Sequence, residues 1–421
     1  MRRRSFLGAA AVTVVAGSTS TAEASTPRRA RERWVGTWAS MPQLTEPHNM
    51  PPAPFTQDGL VLANATLRQT VRVTIGGRRL RLRFSNAFGG ATLPITAVTV
   101  ALPAGGRAGV SAVEPGSVRR VTFNGSPSAD LTPGMLVVSD PLDFPLTAGS
   151  NLTVTTYLAT GQASNDITSH PGSRTTSHLL AGDHVDAGDL PGATPTDHWY
   201  FLSGVEVLAG ADASALVVIG DSLTDGRGST TNGNDRWPDR LADRLRATAA
   251  RPRAVLNQAA GGNRVLDNGL GPSVLARLDR DLLAQSRVEW LLLFEGVNDI
   301  GTAAADQASQ QRTAERLIAG YQQVLDRAHA HDLHVYGATL LPFGGSFYDD
   351  AGGFRETARQ AVNRWIRTSR RFDAVLDFDA VVRDPAAPRQ LLTAFDVGDH
   401  LHLNPAGYRA LAEAVPLRLF H

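Results

Sequence analysis

Residues 215–226 read Ala-Leu-Val-Val-Ile-Gly-Asp-Ser-Leu-Thr-Asp-Gly, and their reading decides the fold. An apolar run of strand length ends in Gly-Asp-Ser and leads, after a polar loop, into the helix-like segment Arg236 to Ala250. A buried strand with that exit places the Ser222 hydroxyl at the carboxyl edge of a parallel sheet, where open α/β folds bind their ligands. Ser222 is therefore a candidate nucleophile. The competing reading makes Ser222 a helix cap and Gly220 a turn residue, so the rest of the chain must discriminate.

Downstream, apolar strand-like runs alternate with amphipathic helical runs. The strands are Leu216 to Ile219, Ala254 to Leu256, Trp290 to Phe294, His334 to Leu340 and Val375 to Phe378; the helices are Pro238 to Thr248, Leu275 to Leu283, Ala314 to His329 and Thr357 to Arg370. This alternation predicts an α/β fold with a parallel sheet of five strands. A last helix is expected from Asn404-Pro405, an N-cap followed by proline, to Val415.

Upstream the rhythm differs. From Trp34 to about Leu208 short runs such as Thr66 to Thr74, Arg79 to Ser85, Thr96 to Leu102, Val118 to Phe123, Asn151 to Leu158 and Trp199 to Val207 are punctuated by Gly and Pro. The pattern predicts an all-β sandwich, jelly-roll-like, over 34–208. Ile75-Gly76-Gly77-Arg78 is expected to close a hairpin. A short Ala-Asp-rich stretch, Ala209 to Ser214, separates this region from a second domain at 215–421, and a chain of 421 residues suits two domains.

Composition excludes whole classes of chemistry. Basic and acidic residues balance, 41 against 40, which gives no electrostatic case for nucleic acid. Lysine is absent, so Schiff-base chemistry, a Ser-Lys dyad and a phosphate-loop lysine are ruled out. With 0 cysteines there are no disulfides, thiol nucleophiles or cysteine zinc sites. Arg2-Arg3-Arg4, an apolar stretch to Gly17 and Ala22-Glu23-Ala24 read as a signal peptide over 1–24, and Arg-Arg-x-Phe-Leu resembles the twin-arginine type. Residues 25–33 read as a linker. A secreted protein without stable membrane insertion is expected, because no later stretch is apolar for the ~20 residues a span needs.

The strand ends carry the chemistry. After the second comes Asn257-Gln258-Ala259-Ala260-Gly261-Gly262-Asn263, after the third Gly296-Val297-Asn298-Asp299, and before the last helix Asp399-His400-Leu401-His402. A serine needs an adjacent base, and the base needs a carboxylate to fix its tautomer. His402 and Asp399 supply these, while the Ser222 N–H, the Gly262 N–H and the Asn298 amide supply three oxyanion donors.

These four blocks, in this order, resemble the consensus blocks of the SGNH (GDSL) hydrolase superfamily. The resemblance covers roughly the C-terminal half and implies a flavodoxin-like three-layer α/β/α fold, a Ser222–His402–Asp399 triad, an oxyanion hole of Ser222, Gly262 and Asn298, and hydrolysis of carboxylic esters through an acyl-serine without metal or cofactor. Leu403 stands where the family commonly has proline, which alters loop stiffness. Trp34 to Ser40 and Thr66 to Val73 are similar to the β-sandwich preceding this domain in secreted bacterial members. A carbohydrate deacetylase or a lipase/lysophospholipase-like esterase is implied; a glycan-binding protein with a vestigial hydrolase domain and an acyltransferase are the alternatives.

Other residues are weighed against simpler roles. His400 competes with His402, but the Asp-x-x-His spacing favours His402. Asp221 and Asp299 read as loop-organising acceptors and Asp225-Gly226 as turn chemistry. His329, His331 and His334 read as a solvated cluster, since their spacing does not put all three on one face. Arg264 faces either substrate or a surface partner. The loop Pro342 to Phe354 either walls the pocket with Phe343, Phe347, Tyr348 and Phe354 or is plain surface, and Trp34 and Trp38 read as core. The acyl preference, the natural ester and the oligomeric state are not legible.

Overall fold

The computed structural model describes residues 32–248 and 250–421. The signal peptide expected at 1–24 lies outside the described residues, as does the linker apart from Glu32 and Arg33. Arg33 already opens a strand, Arg33–Ala39.

The N-terminal region is β-rich, because alternating apolar residues leave each strand one face to bury. One antiparallel sheet orders Arg33–Ala39, Leu202–Ala209, Gly77–Ser85 and Leu136–Val138, with Leu142–Leu146 also against Gly77–Ser85. A second orders Thr194–Thr196, Ser177–Ala181, Ala65–Arg72, Asn151–Leu158, Ala97–Ala101 and Arg119–Val121. Leu67 and Val71 from one and Leu80, Leu82 and Phe84 from the other are buried in the same hydrophobic cluster.

The hairpin expected at Ile75-Gly76-Gly77-Arg78 is not formed. Ala65–Arg72 and Gly77–Ser85 belong to different sheets, and the segment between them crosses from one to the other. Thr37 holds this crossing: its Oγ1 donates to the Ile75 carbonyl at 2.7 Å and its carbonyl accepts from the Thr74 N–H at 3.0 Å. Two glycines signalled a turn but not its width.

The second region contains the five expected parallel strands. We number them β1 (Ser214–Gly220), β2 (Arg253–Asn257), β3 (Val288–Phe294), β4 (His334–Ala338) and β5 (Ala374–Leu376). Their order is β2-β1-β3-β4-β5, all parallel. Every residue of β1 is buried, as expected of a central strand covered on both faces. Its reversal of strand order, with β2 on one side and β3 on the other, opens a crevice at the carboxyl edge.

The long helices are α1 (Trp237–Thr248), α2 (Gln307–His329), α3 (Phe354–Thr368) and α4 (Pro405–Ala414). Asn404 caps α4, its side chain accepting from the Ala406 and Gly407 N–H groups. The helix expected over Leu275 to Leu283 is interrupted: an α-turn, Val274–Leu278, passes into a π-turn, Asp279–Leu283. Here Arg277 turns fully inward to Asp281 at 3.1 Å and to the Gln258 carbonyl at 2.7 Å. No helix among the described residues is long and apolar enough to cross a membrane.

Residues 32–421 form one structural unit. Arg72 bridges to Asp243 at 2.7 Å, Arg280 donates to the Pro42 carbonyl at 3.1 Å, and Gln43 donates to the Leu270 carbonyl at 2.7 Å. These bonds hold the β-rich region against the parallel-sheet region.

Candidate active site

β1 delivers its last residue, Gly220, to a tight turn in which Asp221 caps the short helix Ser222–Asp225 by accepting from the Leu223 N–H at 2.9 Å. Ser222 thus stands at the first helical position, 8% exposed. Its Oγ lies 2.8 Å from His402 Nε2. His402 Nδ1 in turn lies 2.7 Å from Asp399 Oδ2. Asp399 also accepts from the N–H groups of Leu401 and His402 through Oδ1, which locks the loop that carries both residues.

These contacts fix the tautomer. A carboxylate accepts, so Nδ1 carries the proton and Nε2 presents its lone pair to the Ser222 hydroxyl. His400 is outside this chain of bonds: it is exposed and its Nδ1 pairs with Asp396 at 2.8 Å.

Gly262 has φ +71, a conformation that favours glycine, and its N–H has no protein acceptor among the described residues. Asn298 donates from Nδ2 to the Asn263 carbonyl at 2.9 Å, which leaves the second amide hydrogen for the cavity. Tyr348 donates its hydroxyl to Asn298 Oδ1 at 2.9 Å and so prevents the amide from flipping. Asp299 accepts from the Val265 and Leu266 N–H groups at 2.9 and 3.0 Å, the loop-holding role expected of it.

Ser222, His402, Gly262 and Asn298 line one cavity of about 570 Å³, and Asp399 stands behind His402. The β-rich region supplies much of the opposite wall, including Gln43, Glu46, Pro171, Gly172, Arg174 and His198. Gly172 approaches so closely that a Cβ there would lie 1.8 Å from Asp225 Oδ2. Phe347 and Tyr348 also line the cavity, whereas Phe343 is buried in the core and Phe354 opens α3. Arg264 is turned away, towards Thr302 and the Asn268 carbonyl.

Residues 218–410 match the model of the GDSL-like lipase/acylhydrolase family. This region is a GDSL-like lipase/acylhydrolase domain. Among solved structures, the chain is similar to Axe2, an acetylxylan esterase from Geobacillus stearothermophilus, at 20% identity and TM-score 0.36, over 48% of this chain and 91% of that one. A GDSL-like lipase from Bacteroides thetaiotaomicron VPI-5482 gives 15% identity and TM-score 0.35, over 48% and 85%. Comparison with curated proteins found no match.

Burial shapes the electrostatics of the acylhydrolase domain. It is the main cause that holds His402 below its ordinary value; Asp399 opposes it, and the Arg227 and Arg174 charges add to it. Burial also pushes Asp399 up, but the bonds it accepts from His402 outweigh this and keep its carboxyl below the usual range. Beneath the Ser222 turn, burial raises Asp221 to about 7 and Asp299 to about 6, and it lifts Glu295 well above its ordinary value. Both Glu295 carboxyl oxygens are buried without a hydrogen-bond partner among the described residues, which suits a neutral acid.

Two features escaped the sequence reading. Asp225, taken for turn chemistry, accepts from the Gly261 N–H at 3.0 Å and pairs with His170, so it braces the loop that carries Gly262. The β-rich wall of the cavity had no sequence signal, because its residues come from loops whose approach to the domain depends on tertiary packing. His329 pairs with Asp373 at 3.0 Å, and no group of three metal-ligating side chains occurs among the described residues.

Proposed function

We propose that this protein is a serine esterase that hydrolyses carboxylic esters through an acyl-serine intermediate on Ser222. The observation that supports this most strongly is the continuous hydrogen-bond chain from Ser222 Oγ through His402 to Asp399, opening on a cavity that Gly262 and Asn298 also line. Ser222 Oγ attacks the ester carbonyl while His402 Nε2 takes its proton. Asp399 steadies the imidazolium so formed. The negative charge moving onto the carbonyl oxygen is met by the N–H groups of Ser222 and Gly262 and by the free amide hydrogen of Asn298. His402 returns the proton to the leaving alcohol, and water, activated by the same imidazole, releases the acid.

Ser222→Ala removes the nucleophile and is expected to lower kcat for p-nitrophenyl acetate by about 10⁴-fold or more, with the unfolding midpoint unchanged. Turnover retained in a folded Ser222→Ala protein would refute the mechanism. Acylated glycans and lipids are the substrate classes we propose, and adding an alcohol acceptor during product analysis tells hydrolysis from acyl transfer.

We further propose a three-layer α/β/α hydrolase domain over 215–421 preceded by a β-sandwich over 34–208; proteolytic nicking within 209–214 would mark the boundary. Export through the twin-arginine signal at 1–24 is part of the same reading. Undiminished secretion after Arg3 and Arg4 are both changed to Lys would count against it.

A further inference from the structure

Two arginines face the candidate active-site cavity, and neither has a carboxylate partner. Arg174 comes from the β-rich region and Arg227 from the loop after the nucleophile turn; both line the cavity with Ser222 and His402. Ion pairs at this site are His402–Asp399 and His170–Asp225, and neither arginine takes part in an ion pair among the described residues. The Arg174 Nε is buried and lacks a hydrogen-bond partner among the described residues, although leaving a buried donor unpaired is costly. Its backbone adopts φ +50, an uncommon conformation for a residue with a side chain, held by Asn232, whose N–H donates to the Arg174 carbonyl at 2.9 Å.

The acid on the same wall is already engaged. Glu46 accepts from Gln43 at 2.7 Å and from Asn49 at 3.0 Å, one bond to each oxygen. His198 presents its Nδ1 to the Pro171 carbonyl at 2.7 Å, and burial holds it below the ordinary histidine value, so its other nitrogen offers a lone pair. Two unpaired guanidinium groups thus stand beside a wall of groups suited to hydroxyls.

We propose that Arg174 and Arg227 form an anion subsite for the leaving alcohol, so that the preferred substrates are esters of alcohols that also carry a carboxylate or phosphate. The side is set by His402, which hands its proton to the departing alcohol: both arginines line the cavity with this imidazole, and Arg227 follows Ser222 on the same turn, whereas Gly262 and Asn298 come from other loops. Guanidinium groups suit this role because their fork of donors matches carboxylate and phosphate oxygens. The proposal rests on the esterase reading of the same site.

Three acetate esters test it in the full chain: those of 4-hydroxybenzoate, of 4-hydroxyphenyl phosphate, and of the neutral methyl amide of 4-hydroxybenzoic acid. At least one anionic ester is expected to exceed the neutral one in kcat/KM by about tenfold or more, mainly through KM. The carboxylate and phosphate arms tell a uronic-acid-type alcohol from a phosphate-bearing one. In Arg174→Gln/Arg227→Gln the ratio of anionic to neutral kcat/KM is expected to fall to about one, and Lys at both positions to keep part of it. A wild-type ratio near or below one, or a ratio unchanged in the double variant, overturns the proposal. Should no ester turn over, the esterase reading fails, and equilibrium binding of the free phenols to Ser222→Ala decides the subsite. Tighter binding of an anionic phenol, lost in the double arginine variant, upholds the proposal; equal binding of all three overturns it.

Discussion

His170 Nε2 lies 2.9 Å from Asp225 Oδ1, with both side chains almost wholly buried, and this bond joins the β-rich region to the loop beneath the candidate active site. His170 Nδ1 faces the Met41 carbonyl at 3.0 Å, and a carbonyl can only accept, so Nδ1 carries a proton. The remaining contact, Nε2 to carboxylate, must share one further proton. Asp225 uses its second oxygen to hold the Gly261 N–H, one residue before Gly262. The ring of His170 also stacks on Trp199 at 5.7 Å, which anchors it in the β-rich core. A strand of one region thereby positions the Gly261–Gly262 loop of the other.

His170→Ala is expected to leave Asp225 buried without its partner, at a stability cost of about 3–5 kcal/mol. Because Gly261 loses a firm anchor, kcat should fall about tenfold with KM little changed. His170→Gln, which can still donate to Asp225, should recover part of both. Urea unfolding beside steady-state kinetics checks this; a variant as stable and active as the parent would show that the pair is incidental.

The pH profile follows from His402. With His402 as the proposed base, whose charged form cannot act, kcat/KM is expected to fall on the acid side, in a limb that burial sets below the ordinary histidine value of 6.5. Asp399→Asn removes a contribution that raises His402 and also frees its tautomer. The limb should move lower still while the plateau drops by about 10²–10⁴-fold. Arg174→Gln or Arg227→Gln removes a nearby positive charge and should shift the limb the other way, upward. Kinetics between about pH 4 and about pH 9 would reveal a limb that ignores these charges, which would sink the assignment.

Much of the candidate site was legible because it depends on local order. Apolar runs announced β1, β2 and β3, and each ends in a loop that brings one candidate residue to the same cavity: Ser222, Gly262 and Asn298. Asp399 and His402 were readable because three residues of spacing let one loop supply both groups. The β-rich wall was not legible. Arg174 reaches the cavity, and His170 reaches Asp225, through packing between residues far apart in sequence, and nothing near them has a periodicity that signals a site. The crossing at Ile75-Gly76-Gly77-Arg78 failed for a related reason: local turn chemistry is the same whether the chain folds back in one sheet or passes to the next.

Tyr348 tests how far positioning matters for the proposed oxyanion donor Asn298. Its hydroxyl holds Asn298 Oδ1 at 2.9 Å, and Asn298 Nδ2 is held by the Asn263 carbonyl. Asn298→Ala should lower kcat by about 10²–10³-fold, the scale of a lost oxyanion donor. Tyr348→Phe keeps the ring and loses only the orienting bond, so kcat should fall about three- to tenfold at nearly constant KM. An effect confined to KM would mean that Tyr348 contacts substrate and does not act through Asn298.

The buried acids under the Ser222 turn predict a stability profile of unusual sign. Burial, reinforced by the charges of Asp299 and Asp225, raises Asp221 to about 7, and burial raises Asp299 to about 6, both from an ordinary 3.8. A carboxyl raised on folding binds more protons in the native state than in the unfolded one, so its contribution is fully present below about pH 4 and is lost as pH rises through 6 and 7. These groups therefore make the protein less stable towards neutral pH, where paired surface carboxylates act in the opposite sense. Asp221→Asn keeps the acceptor for the Leu223 N–H at 2.9 Å but cannot ionise. Thermal unfolding of this variant should lose part of the decline between about pH 5 and about pH 8, and a decline identical to that of the parent would show that Asp221 stays charged in the fold.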